Sequence, residues 1–134
     1  MKICKNMKKP VPKWAERLYK QEHDTPTASR FYVLKLIKDS ETGFNYKELQ
    51  KELIEKIKLN NQKNPNFSFN FGSRGWDAVE GSDNYCLKSV LEDFEEEKLL
   101  VKGIINGSEK YLLSSKGAET LKENLKLVEE NFLV

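Results

Sequence analysis

His23, flanked by Glu22 and Asp24, is the only histidine in the chain and the first place to look for acid–base chemistry near neutral pH. A general acid or base needs a cleft and an oriented partner, and a hydrolytic triad needs a nucleophile as well. A lone histidine just ahead of a long apolar helical pattern reads more simply as an exposed linker residue. Cys4 and Cys86 are far apart and neither has a CxxC or CxxH neighbour. That spacing argues against a zinc site or a disulfide framework and leaves two free thiols. The run Gly72-Ser73-Arg74-Gly75 lacks the lysine and the spacing of a phosphate loop. The Glu-rich segments bring no matching Asp or His set for a metal. Neither an enzymatic activity nor a cofactor is expected.

The remaining chemistry is that of charge. The 134 residues carry 23 Lys and Arg against 21 Asp and Glu, a net charge of +2 that hides a strong asymmetry. Residues 1–40 hold 10 basic and 4 acidic groups, residues 41–79 hold 6 and 5, and residues 80–134 hold 7 and 12. Lys2, Lys5, Lys8, Lys9, Lys13, Arg17 and Lys20 face only Glu16, so residues 1–10 are expected to form a basic, flexible arm. Such an arm can neutralise nucleic-acid phosphates, or can simply be a solvated terminus. No apolar stretch approaches the length of a membrane span, and the basic start has no apolar segment behind it as a secretory signal would. A cytoplasmic protein without a membrane partner is expected.

Helices and a hairpin must position these charges, and the length suits a single domain over 1–134. Val11 to Gln21, with Pro12 in its first turn and Trp14 and Leu18 at helical spacing, predicts a short N-terminal helix. Thr25-Pro26 opens a buried helix through Phe31, Val33, Leu34, Leu36 and Ile37, which reaches Asp39 before Gly43. After Phe44, a lone β residue, Asn45 and Glu48 form a capping box ahead of a stripe of Tyr46, Leu49, Leu53 and Ile57. From Leu59 to Ser82 the periodicity is lost, and the Asn and Gly residues mark a long connection. Within it Phe67, Phe69 and Phe71 alternate, which would put three rings on one face of a short strand or cap the core beneath a loop. A loop of this length is uncommon without a role, which makes Arg74 and Trp76 candidate contact residues. Trp14, Tyr19, Phe31, Phe67 and Trp76 either line a pocket or pack in the core.

Helical spacing resumes over Asn84 to Leu99 through Leu87, Val90, Leu91 and Phe94. Asn106-Gly107 between two β-rich runs predicts a type I′ hairpin. A final helix over 115–134 sets Ala118, Leu121, Leu125, Val128 and Phe132 at spacings of three and four. This seam could join two subunits or cover its own core.

This order is that of a winged helix-turn-helix domain with flanking helices. Across residues 88–121 the chain resembles PadR-like and MarR-like transcriptional regulators. Those families show Leu-x-x-Leu-Glu-x-x-Gly-Leu-Ile, a wing, and then Tyr-x-Leu-Thr-x-x-Gly. Leu91, Phe94, Glu95, Leu99 and Leu100 fall on the first part, and Tyr111, Leu113, Ser114 and Gly117 on the second. Lys98 stands where the families carry Gly, and residues 59–82 replace the usual short turn between the second and third helices.

The resemblance implies an α+β, mainly helical, winged-helix regulator that reads double-stranded DNA with its third helix and wing. Asn84, Tyr85, Lys88 and Ser89 would then address the groove. Lys102 and Lys110 on the wing, Lys47 and Lys51 on the second helix, and Arg74 would meet phosphates, and Lys8, Lys9 and Lys13 an adjacent groove or backbone. A homodimer through Leu121, Leu125, Val128 and Phe132 would double these contacts. Against this, Glu92, Asp93, Glu95, Glu96 and Glu97 make the third helix acidic, and a polyanion repels it. The alternative keeps the fold without the DNA, as an adaptor or inhibitor whose acidic third helix docks on a basic protein partner.

Overall fold

A computed structural model describes residues 25–65, Phe69, Phe71 and 87–132. These form four helices and a two-stranded antiparallel sheet: α1 (Thr25–Asp39), α2 (Tyr46–Lys63), α3 (Leu87–Glu96), β1 (Leu100–Ile105), β2 (Ser108–Leu113) and α4 (Ser115–Asn131). The described part is thus α+β and mainly helical, as expected. None of its helices is long and apolar enough to cross a membrane. The helix expected over 11–21 lies outside the described residues, as do Cys4, His23, Trp76 and Cys86.

α1 is the central helix. Ala28, Tyr32, Val33, Leu34, Leu36 and Ile37 are all buried, and the helix packs on α2, β2 and most extensively α4. α2 begins at the expected capping box: the Glu48 N–H donates to Asn45 Oδ1 at 2.8 Å, and the Asn45 N–H donates to Glu48 Oε1 at 2.9 Å. The expected loss of periodicity at Leu59 is corrected, because α2 continues to Lys63 and the connection starts at its C-cap, Asn64. The cause is Asn60, which occupies the next position of the Leu49, Leu53, Ile57 stripe and is fully buried. Its Nδ2 donates to the Lys56 carbonyl at 2.8 Å, and its side chain hydrogen-bonds Tyr32. A buried amide satisfied in this way keeps a helix going where an apolar pattern stops.

α3 buries Leu87, Val90, Leu91 and Phe94 as expected, but residues 97–99 are not helical as the spacing had suggested. The Lys98 N–H donates to the Glu95 carbonyl at 3.0 Å and the Leu99 N–H to the Phe94 carbonyl at 2.8 Å, with Lys98 at φ 66°. This is a Schellman termination with lysine in the left-handed position that glycine usually fills. The hairpin follows as the sequence predicts: Ile105 pairs with Ser108, and Asn106 and Gly107 both have positive φ. Phe44 pairs with Tyr111, whose N–H donates to its carbonyl at 2.8 Å. β2 therefore lies between Phe44 and β1.

α4 is capped by Ser114, whose side chain accepts the Gly117 N–H at 2.9 Å. The seam read along this helix faces its own chain. Leu121, Val128 and Phe132 are buried in the core formed with α1, Leu125 is half-buried, and Ala118 is exposed. The Phe132 ring stacks on Tyr32 with centroids 4.0 Å apart. Phe69 and Phe71 lie outside both strands, buried edge to face at 4.9 Å, and Phe69 also meets Phe132 edge-on at 6.1 Å. These two rings cap the core; Phe67 lies outside the described residues.

Candidate nucleic-acid interface

The expected interface draws on α3, α2 and the hairpin. On α3, Lys88 is exposed and Ser89 half-buried. Lys88, Glu92 and Glu96 recur every four residues, so they share one outward stripe, and all three are exposed. Asp93 and Glu97 are exposed beside it, and Asp93 lies 3.9 Å from Arg30 of α1. The outward side of α3 thus offers one cation at its start and carboxylates along the rest. Lys47 and Lys51 are exposed one turn apart on α2. Asn84, Tyr85, Arg74, Lys8, Lys9 and Lys13 lie outside the described residues.

The two hairpin lysines already face carboxylates within the chain. Lys110 Nζ donates to Glu48 Oε1 at 2.6 Å, and only 13% of its side chain is exposed. The same Glu48 oxygen accepts the Asn45 N–H. The Asn45 N–H, and then the Lys110 ammonium, hold the Glu48 carboxyl below the usual carboxylate range. Lys102 Nζ lies 4.0 Å from Glu95 Oε2 of α3 and 5.6 Å from the centre of the Tyr111 ring. Burial raises the Tyr111 hydroxyl pKa, and the charges of Glu95, Glu109 and Glu92 raise it further. Tyr111 thus lies between these carboxylates and the Lys102 ammonium.

A groove of about 190 Å³ runs between the start of α2 and the hairpin, lined by Asn45, Tyr46, Lys102, Glu109, Lys110 and Tyr111. A second, of about 180 Å³, is lined among the described residues by Ile54, Ile57, Lys58 and Asn61 of α2. Of the aromatic residues considered for a pocket, Phe31 lies against Phe94, with ring centres 6.1 Å apart. No three His, Cys, Asp or Glu side chains among the described residues are grouped to hold a metal ion.

Sequence reasoning missed the partners of the hairpin lysines. Glu48 is legible as a cap, but nothing local announces that its carboxylate meets a lysine 62 positions away. Comparison with models of protein families, with curated proteins and with solved structures finds no match.

Proposed function

We propose that the chain is a winged helix-turn-helix regulator of transcription, non-enzymatic and cytoplasmic, that binds double-stranded DNA with α3 in the major groove and the hairpin as its wing. The observation that carries this reading is the pairing of Phe44 with Tyr111. A single residue between α1 and α2 pairs with β2 of the hairpin, an arrangement that would suit a wing held beside a helix-turn-helix. Lys88 then stands near the leading end of the recognition helix, and Lys47 and Lys51 supply phosphate contacts from α2. The acidic positions Glu96 and Glu97 fall at the trailing end, away from the groove. In a homodimer the pairing surface would lie outside Leu121, Val128 and Phe132, which are closed over by α1 and its neighbours.

The test is fluorescence anisotropy of a mixed pool of labelled duplexes of about 30 base pairs, titrated across salt. If six to eight cations reach phosphates, affinity falls by roughly three orders of magnitude or more between about 50 and 200 mM salt. Absence of binding at low salt would exclude the reading.

One observation favours a second reading. The carboxylates of Glu92, Asp93 and Glu96 on α3, and of Glu97 just beyond its end, are all exposed. Such a surface suits an adaptor or inhibitor that docks on a basic protein, and a pull-down that captures such a partner in place of DNA would establish it.

A further inference from the structure

Both lysines of the hairpin meet a carboxylate from a different helix, Lys110 from α2 and Lys102 from α3. The two arrangements differ in kind. Lys102 is 44% exposed, and its partner is at the outer limit of an ion pair. Lys110 is nearly covered and tightly bonded, its Cβ lies against Gly43, and the oxygen it donates to is fixed by the N-terminus of α2. Glu48 therefore has a geometric role in the helix cap and a second, separable one as the counter-ion of the hairpin.

Resting on the DNA-binding reading above, we propose that Glu48 is an internal competitor for phosphate. It holds Lys110 in the free protein, and the hairpin engages a duplex by exchanging the Glu48 carboxylate for a phosphate oxygen. The exchange balances charge, since the ammonium faces one anion before and another after. Affinity is thereby lowered equally for every sequence, because a phosphate contact carries no base information. Glu48 in this account is an affinity-setting residue that touches no DNA.

Glu48→Gln separates the two roles. Glutamine at this cap position still accepts the Asn45 N–H through its amide oxygen, so the start of α2 survives, while the charge facing Lys110 is removed. The Glu48 end of the pair is open to solvent, 48% exposed, which screens the interaction, so the expected gain in duplex affinity is about two- to fivefold, the same for all sequences. Glu109→Gln, which removes a hairpin carboxylate with no ion pair to a described residue, is the control for net charge. Lys110→Ala supplies the other arm, since Glu48→Gln should give no gain once Lys110 is absent. Anisotropy on the same duplex pool reads all five proteins: wild type, the three single variants, and the Glu48→Gln/Lys110→Ala double variant. A gain for Glu48→Gln that exceeds that of Glu109→Gln and disappears in the Lys110→Ala background supports the exchange. Wild-type binding with equal gains from both carboxylate changes, no gain, or a gain that persists without Lys110 overturns the exchange and leaves the DNA reading standing. No duplex binding by wild type or any variant overturns both.

Discussion

Gly117 rests on the carbonyl oxygen of Leu99 with no room for a side chain between them. Around this contact, the Ser114 N–H donates to the Leu99 carbonyl at 3.0 Å. The Ser114 hydroxyl lies 2.6 Å from the Lys98 carbonyl and 3.1 Å from that of Leu99, as donor, and accepts the Gly117 N–H. The first turn of α4 is thus fastened to the turn that ends α3. The Ser114-x-x-Gly117 spacing has a mechanical cause in this chain, independent of any DNA contact.

Gly117→Ala is therefore expected to destabilise the fold although alanine is the better helix former. Overpacking against backbone costs about 1–3 kcal/mol and exceeds the helix-propensity gain of roughly 1 kcal/mol. Ser114→Ala should cost about 1 kcal/mol through the lost cap. Urea unfolding followed by circular dichroism checks both, and a Gly117→Ala protein as stable as wild type would contradict the contact.

Lys98→Gly should act in the opposite sense. Lysine at φ 66° carries a left-handed penalty of about 1 kcal/mol that glycine does not. The hydrogen bonds of this termination come from the backbone, so they are retained. A gain of about 1 kcal/mol in the same urea experiment is expected, with Lys98→Ala near neutral because alanine keeps the Cβ.

Tyr32 makes stability sensitive to alkali. Burial of its hydroxyl pushes its pKa well above the ordinary value near 10, despite the hydrogen bond with Asn60, which acts the other way. The folded chain keeps this proton where the unfolded chain releases it. The stabilisation is complete below about pH 10 and is lost as pH rises above it, by about 1.4 kcal/mol per pH unit for one proton. Tyr111 is shifted in the same direction and adds to the slope. Urea midpoints between pH 8 and 11 should fall less steeply for Tyr32→Phe than for wild type.

The parts legible in the sequence are those set by local rules. The Asn45 and Glu48 cap, the positive φ pair at Asn106-Gly107 and the Leu87, Val90, Leu91, Phe94 face each depend on a few neighbouring residues, and each is found where the pattern places it. What escaped depends on residues distant in the chain. Asn60 extends α2 because Tyr32 meets it, and Lys110 is covered because Glu48 and Gly43 lie against it. The seam on α4 illustrates the limit well: its spacing is the same whether it faces a second copy or α1, and only the placement of α1 decides.

If the DNA-binding reading holds, Lys88 and the N-terminal lysines should fail differently. Lys88 lies on the stripe of α3 that would face base edges, so Lys88→Ala should reduce discrimination between duplexes by about 1–3 kcal/mol. Removing residues 1–10 should weaken binding to all duplexes alike and flatten the salt dependence. Selection from a random duplex library, followed by titration of selected and scrambled sequences, separates the two. Equal losses on both sets from both changes would contradict the assignment.

The placement of α4 also predicts how its apolar residues respond to dilution. Phe132→Ala removes a ring stacked on Tyr32 and set edge-on to Phe69, and Leu121→Ala opens the fully buried face against α1. Losses of about 3–5 and 2–5 kcal/mol follow from the cavities left behind. Because these contacts lie within one chain, the shift in melting temperature caused by each variant should be the same at low and high protein concentration. An interface seam behaves otherwise, since its contribution to stability grows with protomer concentration. Melts at about 1 and 100 μM, with the variants sized by light scattering, distinguish the two. A penalty that changes with concentration would place Leu121 and Phe132 between subunits, against the burial found here.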